Sequence, residues 1–348
     1  MKDNTNFDNF KIKRHSIVKL KNYLLENKLD LENLKNKLIK SKKLVVICGP
    51  TCAGKSKIGI ILSKLLDTDI ISIDSIQVYR EMDIGTDKFD ADKYGKKQYM
   101  VDMFDPDHDL SVVEFRKICD EIIKKKFISL NKIPLLAGGS GLYIKSVISG
   151  IDNVPDRDNE LRKKIIDGIK KEGIKRYYLK LKKVDREYAE KISENDMRRI
   201  VRALEVYELT GKRFSRMHKK WKNKNNHYYS ILIGLEMKRD ILYGRIEKRV
   251  DKMFDIGLVR EVKKLVGRGY GNCRSITKAV GYKEVLEYLN GNSTIEECKD
   301  KVKRNTRRLA KKQITWFGSM PEINWIRLDN YDNIFNLIRD ILLKIGSN

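Results

Sequence analysis

Proline and cysteine are scarce in this chain of 348 residues, with five of each, and there are only four histidines. Cys48, Cys52, Cys119, Cys273 and Cys298 are scattered without a C-x-x-C pair, and the histidines lie too far from them for zinc spacing. This argues against a metal site of that kind and reads as reduced thiols in a cytoplasmic protein. No apolar run approaches the roughly 18 residues needed to span a bilayer. The start is charged and polar, with no secretory core, and acidic residues are interspersed there as no mitochondrial presequence would have them. Internal repeats and low-complexity blocks are missing too. Acidic residues are in deficit, 48 Asp and Glu against 74 Lys and Arg, which leaves a net charge of +26. A polyanionic partner accounts for such an excess, because Lys and Arg displace counterions from phosphates. The competing account is a composition rich in Lys, Asn and Ile throughout.

What is present is a phosphate loop. Gly49, Pro50, Thr51, Cys52, Ala53, Gly54, Lys55 and Ser56 match G-x-x-x-x-G-K-[ST] directly after the apolar run Leu44 to Cys48. Gly49 and Gly54 allow the tight turn that points successive N–H groups at one spot. A helix starting near Lys55 adds the positive end of its dipole. Lys55 supplies a cation, and the Ser56 hydroxyl can hold Mg²⁺. The loop implies a bound diphosphate or triphosphate without saying whose. Cys52 is expected to be a small filler within it, although a thiol near a helix N-terminus can be reactive.

Length allows one large domain with an insertion. Residues 1–42 read as an extension before the first core strand. Ile17, Leu20, Leu24, Leu31, Leu34 and Leu38 recur there at helical spacings, interrupted near Asn27. Packing of these helices on the body of the protein is the expectation, with a partner-binding arm as the alternative. Residues 43–154 alternate strand and helix: 44–48, 70–73 and 133–137 read as strands, 57–66 and 112–129 as helices. Residues 155–225 lose the strands, carry helices at 158–171, 185–192 and 196–209, and end in the Lys-rich run HKKWKNKNNH. Residues 226–348 resume the sheet at 229–235 and continue with helices at 240–267, 275–289 and 294–317. The expected fold is α/β, a parallel sheet flanked by helices, with an α-helical insertion.

Asp74 closes the second strand at the sheet edge that bears the phosphate loop. A carboxylate there suits a Mg²⁺ ligand, a general base or a helix cap. Ser75, Gln77 and Tyr79 follow, polar and aromatic groups suited to a planar base; a Gln amide can pair with an adenine edge. The stretch from Ala137 to Val147 again places glycines at a strand end. Basic residues cluster around Arg198, Arg199 and Arg202, around Lys238, Arg239 and Arg245, around Lys278 and Lys283, and from Lys303 to Lys312. One such helix is usually a solvated face; several, with Tyr and Trp interleaved, suit nucleic acid.

Taken in order, GPTCAGKS, ISIDSIQVYREMDIGT, AGGSGLYIKSV, NDMRRIVRALEVYELTGK, RDILYGRIEKRVDKMFDIGLVREV, KAVGYKEVLEYLNG and NTRRLAKKQITWF resemble the tRNA dimethylallyltransferases. The resemblance runs from Gly49 to Phe317. It implies a P-loop NTPase-like fold, and transfer of a dimethylallyl group from dimethylallyl diphosphate to N6 of adenosine 37 in tRNA, with Mg²⁺ as cofactor and the anticodon stem-loop as partner. It implies Asp74, Thr51 and Arg239 as catalytic residues, the last as a clamp on the diphosphate. Contacts to tRNA are implied at Asp74, Ser75, Ile76, Gln77, Ser140 and Lys163. They are also implied at Arg198, Arg199, Ile200, Val201 and Arg202, and at Lys278, Lys283, Arg307, Arg308 and Lys311. The protein is expected to be a monomer with no membrane association. Gln98–Tyr99 stands where the family commonly has two histidines, and Cys52 and Ser56 replace its frequent loop residues; Ser56 keeps the hydroxyl. The zinc finger of eukaryotic members is missing, which points to the bacterial type. A P-loop kinase of small molecules or nucleotides, binding ATP in the same loop, is the alternative.

Overall fold

A computed structural model describes residues 7, 10–150, 155, 157–220 and 227–347. The chain divides into two compact units. One comprises Met1–Lys145 and Tyr228–Asn348, the other Ser146–His227. The helical unit thus begins at Ser146 rather than at residue 155, and residues 221–226 of the Lys-rich run at 218–227 lie outside the described residues.

Six parallel strands organise the first unit. They are β1 (Leu44–Cys48), β2 (Ile70–Ile73), β3 (Gln98–Tyr99), β4 (Leu135–Gly138), β5 (Ser230–Glu236) and β6 (Ile323–Arg327), in the order β3-β2-β4-β1-β5-β6. The Leu-Val-Val-Ile-Cys run of β1 is wholly buried, as a strand with partners on both edges and helices on both faces must be. Register fixes the site. Cys48 and Ile73 both pair with Gly138, so Gly49, Asp74 and Gly139 leave the sheet at one level. Two strand spacings separate the first two, about 10 Å. A β-carbon at Gly138 would lie 2.1 Å from the Ile73 carbonyl oxygen, so only glycine fits there.

β3, β6 and the last helix, Ile334–Gly346, carry no sequence expectation above. β3 is two residues long, too short to show alternation. Two expected helices are broken. Residues 240–267 form Arg239–Ile256 and Leu258–Gly267, parted at Gly257 with φ of 110°. Residues 275–289 form Arg274–Lys278 and Tyr282–Leu289, parted at Gly281 with φ of 95°. Hydrophobic periodicity runs through both breaks; the left-handed glycine makes the corner. The expected helix at 112–129 is α-helical only over Val112–Ile122 and widens into a π-turn at Ile123–Phe127.

Before β1, helices Arg14–Glu26 and Leu31–Ser41 meet at Asn27. Asp30 starts the second by accepting from the Glu32 and Asn33 N–H groups. Ile17, Leu20, Leu24, Leu34 and Leu38 are buried in one core with Leu337, Ile341 and Ile345 of the last helix.

The second unit has no strand among its described residues. Its helices include Asn159–Glu172, Ile174–Val184 and Met197–Thr210. They close over Ile165, Ile169, Leu181, Ile200, Val201 and Leu204. Asp158, Asp185 and Asp196 each cap a helix.

Candidate active site

A cavity of about 1050 Å³ opens where β1, β2 and β4 end. Thr51, Cys52, Gly54, Lys55 and Ser56 line it on one side, and Asp74, Ile76 and Gln77 on another. The phosphate loop has the backbone its glycines allow. Gly49 has φ of 141° and Gly54 of 82°, and a β-carbon at Gly49 would lie 2.5 Å from the Leu235 carbonyl oxygen. Cys52 also takes positive φ, at 63°. Lys55 turns back on the loop, donating to the Pro50 carbonyl at 2.6 Å. Burial lowers its pKa from 10.5 to about 8, helped by Arg249 and opposed by Cys52 and Asp74.

Helix Arg239–Ile256 supplies the other cations. Arg245, Lys248, Arg249 and Lys252 line the cavity, at the i, i+3, i+4, i+7 spacing of one helical face. Arg249 donates to Thr51 Oγ1 at 2.7 Å and lies 3.5 Å from Asp87. Burial opposes its charge, but Asp87, Cys52 and Asp74 outweigh burial and raise its pKa. Arg239 is not part of this face. It is exposed at the start of the helix, and its Nε donates to the Tyr243 hydroxyl at 2.9 Å. Six residues before Arg245 is about 240° around the helix, which turns Arg239 away from the loop. The structure thus turns Arg239, the expected clamp, away from the loop and sets Arg249 against it, with Arg245 also on the cavity wall.

Asp74 acts as a local cap. Its Oδ1 accepts from the Ile76 N–H at 2.9 Å and the Gln77 N–H at 3.3 Å, which fixes the carboxylate. Gln77 is engaged at both ends of its amide: Ser72 Oγ donates to its Oε1 at 2.8 Å, and its Nε2 donates to the Thr86 carbonyl at 3.2 Å. These bonds fix the orientation of the amide expected to read adenine and leave one donor hydrogen and one acceptor lone pair on it.

Two groups that hold the site were not singled out in the sequence. Gln313, on helix Ile295–Gly318, accepts from the Thr51 N–H at 2.8 Å and donates to the Gly139 carbonyl at 3.0 Å. It thereby ties the loop after β1 to the end of β4. Glu261, on helix Leu258–Gly267, accepts from the N–H groups of Asp83, Ile84 and Gly85 and from the Tyr282 hydroxyl at 2.6 Å. A β-carbon at Gly85 would lie 2.3 Å from the Tyr282 ring, so this loop must keep its glycine. Both side chains lie inside quoted motif stretches, but a lone Gln or Glu on an amphipathic helix carries no signal of its own.

The expected tRNA contacts divide by exposure. Lys163, Arg198, Arg199, Lys278, Arg308 and Lys311 are exposed. Lys283 and Arg307 are half-buried and paired with Glu284 and Glu247. Ser140 is half-buried at the start of helix Gly141–Ser149, where its carbonyl accepts from Ile144. Ser75 and Ile76 are half-buried beside Asp74. Ile200 and Val201 are core residues of the helical unit, 0% and 2% exposed, and cannot offer side chains to RNA. Arg202 is a structural pair: it donates to the buried Glu205 at 3.0 Å and to the Pro155 carbonyl at 2.7 Å. The 3.6-residue period turns Ile200 and Val201 inward and leaves Arg202 on the face of Arg198 and Arg199, where its bonds to Glu205 and Pro155 half-bury it.

Two family models match the chain: IPP transferase over residues 77–320 and isopentenyl transferase over residues 42–100. A tRNA dimethylallyltransferase of Acetivibrio thermocellus is 42% identical over 301 residues, covering 86% of this chain and 96% of that protein. One from a Thermoanaerobacter species is 43% identical over 305 residues, with the same coverage. The crystal structure of a Bacillus halodurans tRNA isopentenylpyrophosphate transferase superposes with a TM-score of 0.65 at 38% identity, over 88% of this chain and 97% of that one. That of a eukaryotic dimethylallyltransferase acting on tRNA gives 0.70 at 26% identity, over 83% and 74%. A P-loop NTPase-like sheet, a phosphate loop facing Asp74 and relatives alike over nearly their whole length agree: the chain belongs to the IPP transferase family and is a prenyltransferase of the tRNA dimethylallyltransferase kind.

Proposed function

We propose that the chain transfers the dimethylallyl group of dimethylallyl diphosphate to N6 of adenosine 37 in the anticodon stem-loop of tRNA, as a cytoplasmic monomer. The observation that carries this reading is one cavity that holds a phosphate loop, an arginine bonded to it and, across the sheet edge, an oriented carboxylate. A small apolar group on a diphosphate fits between them.

The chemistry follows from the geometry. As the allylic C–O bond breaks, negative charge gathers on the leaving diphosphate. Lys55, Arg245, Arg249, the Thr51 hydroxyl and the loop's N–H groups neutralise it where it develops. Adenine, swung out of the anticodon stack, presents its exocyclic amine to Asp74. One carboxylate oxygen is held by Ile76 and Gln77; the other accepts the N6 proton as the C–N bond forms. Ser56 and Asp74 line the same cavity, and hard oxygen donors of this kind suit Mg²⁺ shared with substrate phosphates. Ser56 would hold the ion, whose charge would help to neutralise the leaving group.

The helical unit supports a polyanionic acceptor. Arg176, Lys180, Lys182, Lys183 and Arg186 line a second recess, and Lys163, Arg198 and Arg199 are exposed on the same unit. A transfer assay tests the whole reading. Purified protein, Mg²⁺ and labelled dimethylallyl diphosphate are mixed with unmodified tRNA, with AMP, or with a stem-loop carrying guanosine at position 37. Label is expected in the tRNA alone and is lost in Asp74→Ala. Label in AMP, or ATP hydrolysis without transfer, would replace the reading.

A further inference from the structure

The residues before position 42 lie outside both family models, yet some of them line the cavity. Phe7, Phe10, Lys11, Ile12 and Lys13 share its wall with Thr51, Lys55 and Asp74. Phe7 is 7% exposed and Phe10 6%, so both are built into the protein. The Phe7 ring lies on the turn of the phosphate loop. A β-carbon at Gly54 would come within 2.4 Å of its Cζ. Lys57 Nζ donates to the Phe7 carbonyl, and its ammonium lies 5.0 Å from the ring centroid. Arg245 lies over the same ring at 5.3 Å. Phe10 is held edge-on against Phe335 at 6.1 Å. The cavity is also lined by Ile70 and by Phe89 and Tyr94, whose rings stack at 5.2 Å.

Cations and N–H groups therefore surround the loop, while an apolar wall completed by Phe7, Phe10 and Ile12 stands next to it. A prenyl diphosphate has that division of polarity. Resting on the function proposed above, we infer that Phe7, Phe10 and Ile12 are specificity-determining residues for the prenyl donor: they form the wall against which its hydrocarbon chain packs, and they limit the length of chain admitted. The rings are large, buried and fixed by their own packing, so they select by contact and by exclusion.

The test measures steady-state transfer to tRNA with dimethylallyl diphosphate and with geranyl diphosphate, and inhibition by inorganic pyrophosphate. Full-length Phe7→Ala and Phe10→Ala are compared with Phe7→Leu, which keeps an apolar group and guards against a folding defect. For the alanine variants KM for dimethylallyl diphosphate is expected to rise about tenfold, as for a lost apolar contact. KM for tRNA stays unchanged in both, the pyrophosphate inhibition constant stays unchanged in Phe10→Ala, whose ring packs on Phe335 away from the loop's cations, and the preference shifts toward the geranyl donor. Phe7→Leu is expected to fall between the wild type and Phe7→Ala. An unchanged donor KM and chain-length preference would overturn the inference, and so would a lower KM with faster turnover, which would make the rings a plug. If the wild type itself transfers nothing to tRNA, the proposed function fails first and takes this inference with it.

Discussion

Asp74 and Lys55 have opposite problems. The carboxylate needs orientation, and the lysine needs a reason to be charged. Asp74→Asn keeps an oxygen for the Ile76 and Gln77 N–H groups but cannot take a proton. Its transfer rate is expected to fall about 10²–10⁴-fold with an unchanged melting curve, the usual range for a lost general base. Lys55 has its pKa lowered to about 8 from 10.5 because its burial disfavours the ammonium. The sign follows. The folded state penalises the charged form, so the penalty is full below pH 8 and is relieved as pH rises toward 10.5. A bound diphosphate reverses the preference and draws a proton onto the lysine. Calorimetry in buffers of different ionisation enthalpy is expected to show proton uptake on diphosphate binding near pH 8, with affinity falling above it; an uptake of zero across that range would refute the assignment. Arg202 makes the same kind of distinction in the helical unit. Its partner Glu205 is wholly buried and also bonds Arg162 and the Asp158 N–H. Arg202→Ala is expected to destabilise that unit by about 3 kcal/mol, the lower end for breaking a buried pair. Chemical denaturation reads this directly, and a variant as stable as wild type would return Arg202 to the surface.

At the scale of elements, what the sequence disclosed was whatever leaves a periodic or a spaced trace. The Leu44–Cys48 strand, the loop after it and Ile70–Ile73 ending before Asp74 are such traces, and the sheet register then brings loop and carboxylate to one level. The N-terminal helices were equally plain, since Leu20, Leu24, Leu34 and Leu38 mark their buried faces. Corners left no trace. The apolar period runs on through Gly257 and Gly281, and one glycine in a long amphipathic stretch does not announce a left-handed turn. Nor did the sequence show which of several arginines on helix Arg239–Ile256 faces the loop, because that depends on how the helix is rotated against the sheet. The contacts of Glu261 are of the same hidden kind, joining residues far apart in the chain. Its carboxylate gathers the N–H groups of residues 83 to 85, and the loop continues to Thr86, which holds Gln77, and Asp87, which pairs with Arg249. Glu261→Ala is expected to cost about 2–4 kcal/mol by leaving these donors unpaired. It should also lower kcat, whereas Tyr282→Phe should cost only about 1 kcal/mol. Urea midpoints and single-turnover rates separate the two.

For the whole molecule, the net charge of +26 sets how it meets RNA. Contacts with phosphates weaken steeply with salt, and each cation removed flattens that dependence. Replacing Lys182 and Lys183 by Glu is expected to reduce tRNA affinity and the salt slope together, while leaving the melting temperature nearly unchanged. Filter binding between 50 and 200 mM salt, about the range over which such contacts weaken most visibly, gives both quantities. Unaltered affinity would remove that recess from the RNA surface. The helix Ile295–Gly318 adds something that charge alone does not. Its outward face carries Arg308 and Lys311, and Gln313 on its inner side grips both the Thr51 N–H and the Gly139 carbonyl. On the proposed function, one helix thus touches both substrates' territories. Any shift of the helix that an acceptor imposes on the loop must be repaid in kind: if tRNA tightens the hold on the donor by some factor, the donor tightens the hold on tRNA by the same factor. The enzyme would then sense that both reactants are aboard through a single glutamine.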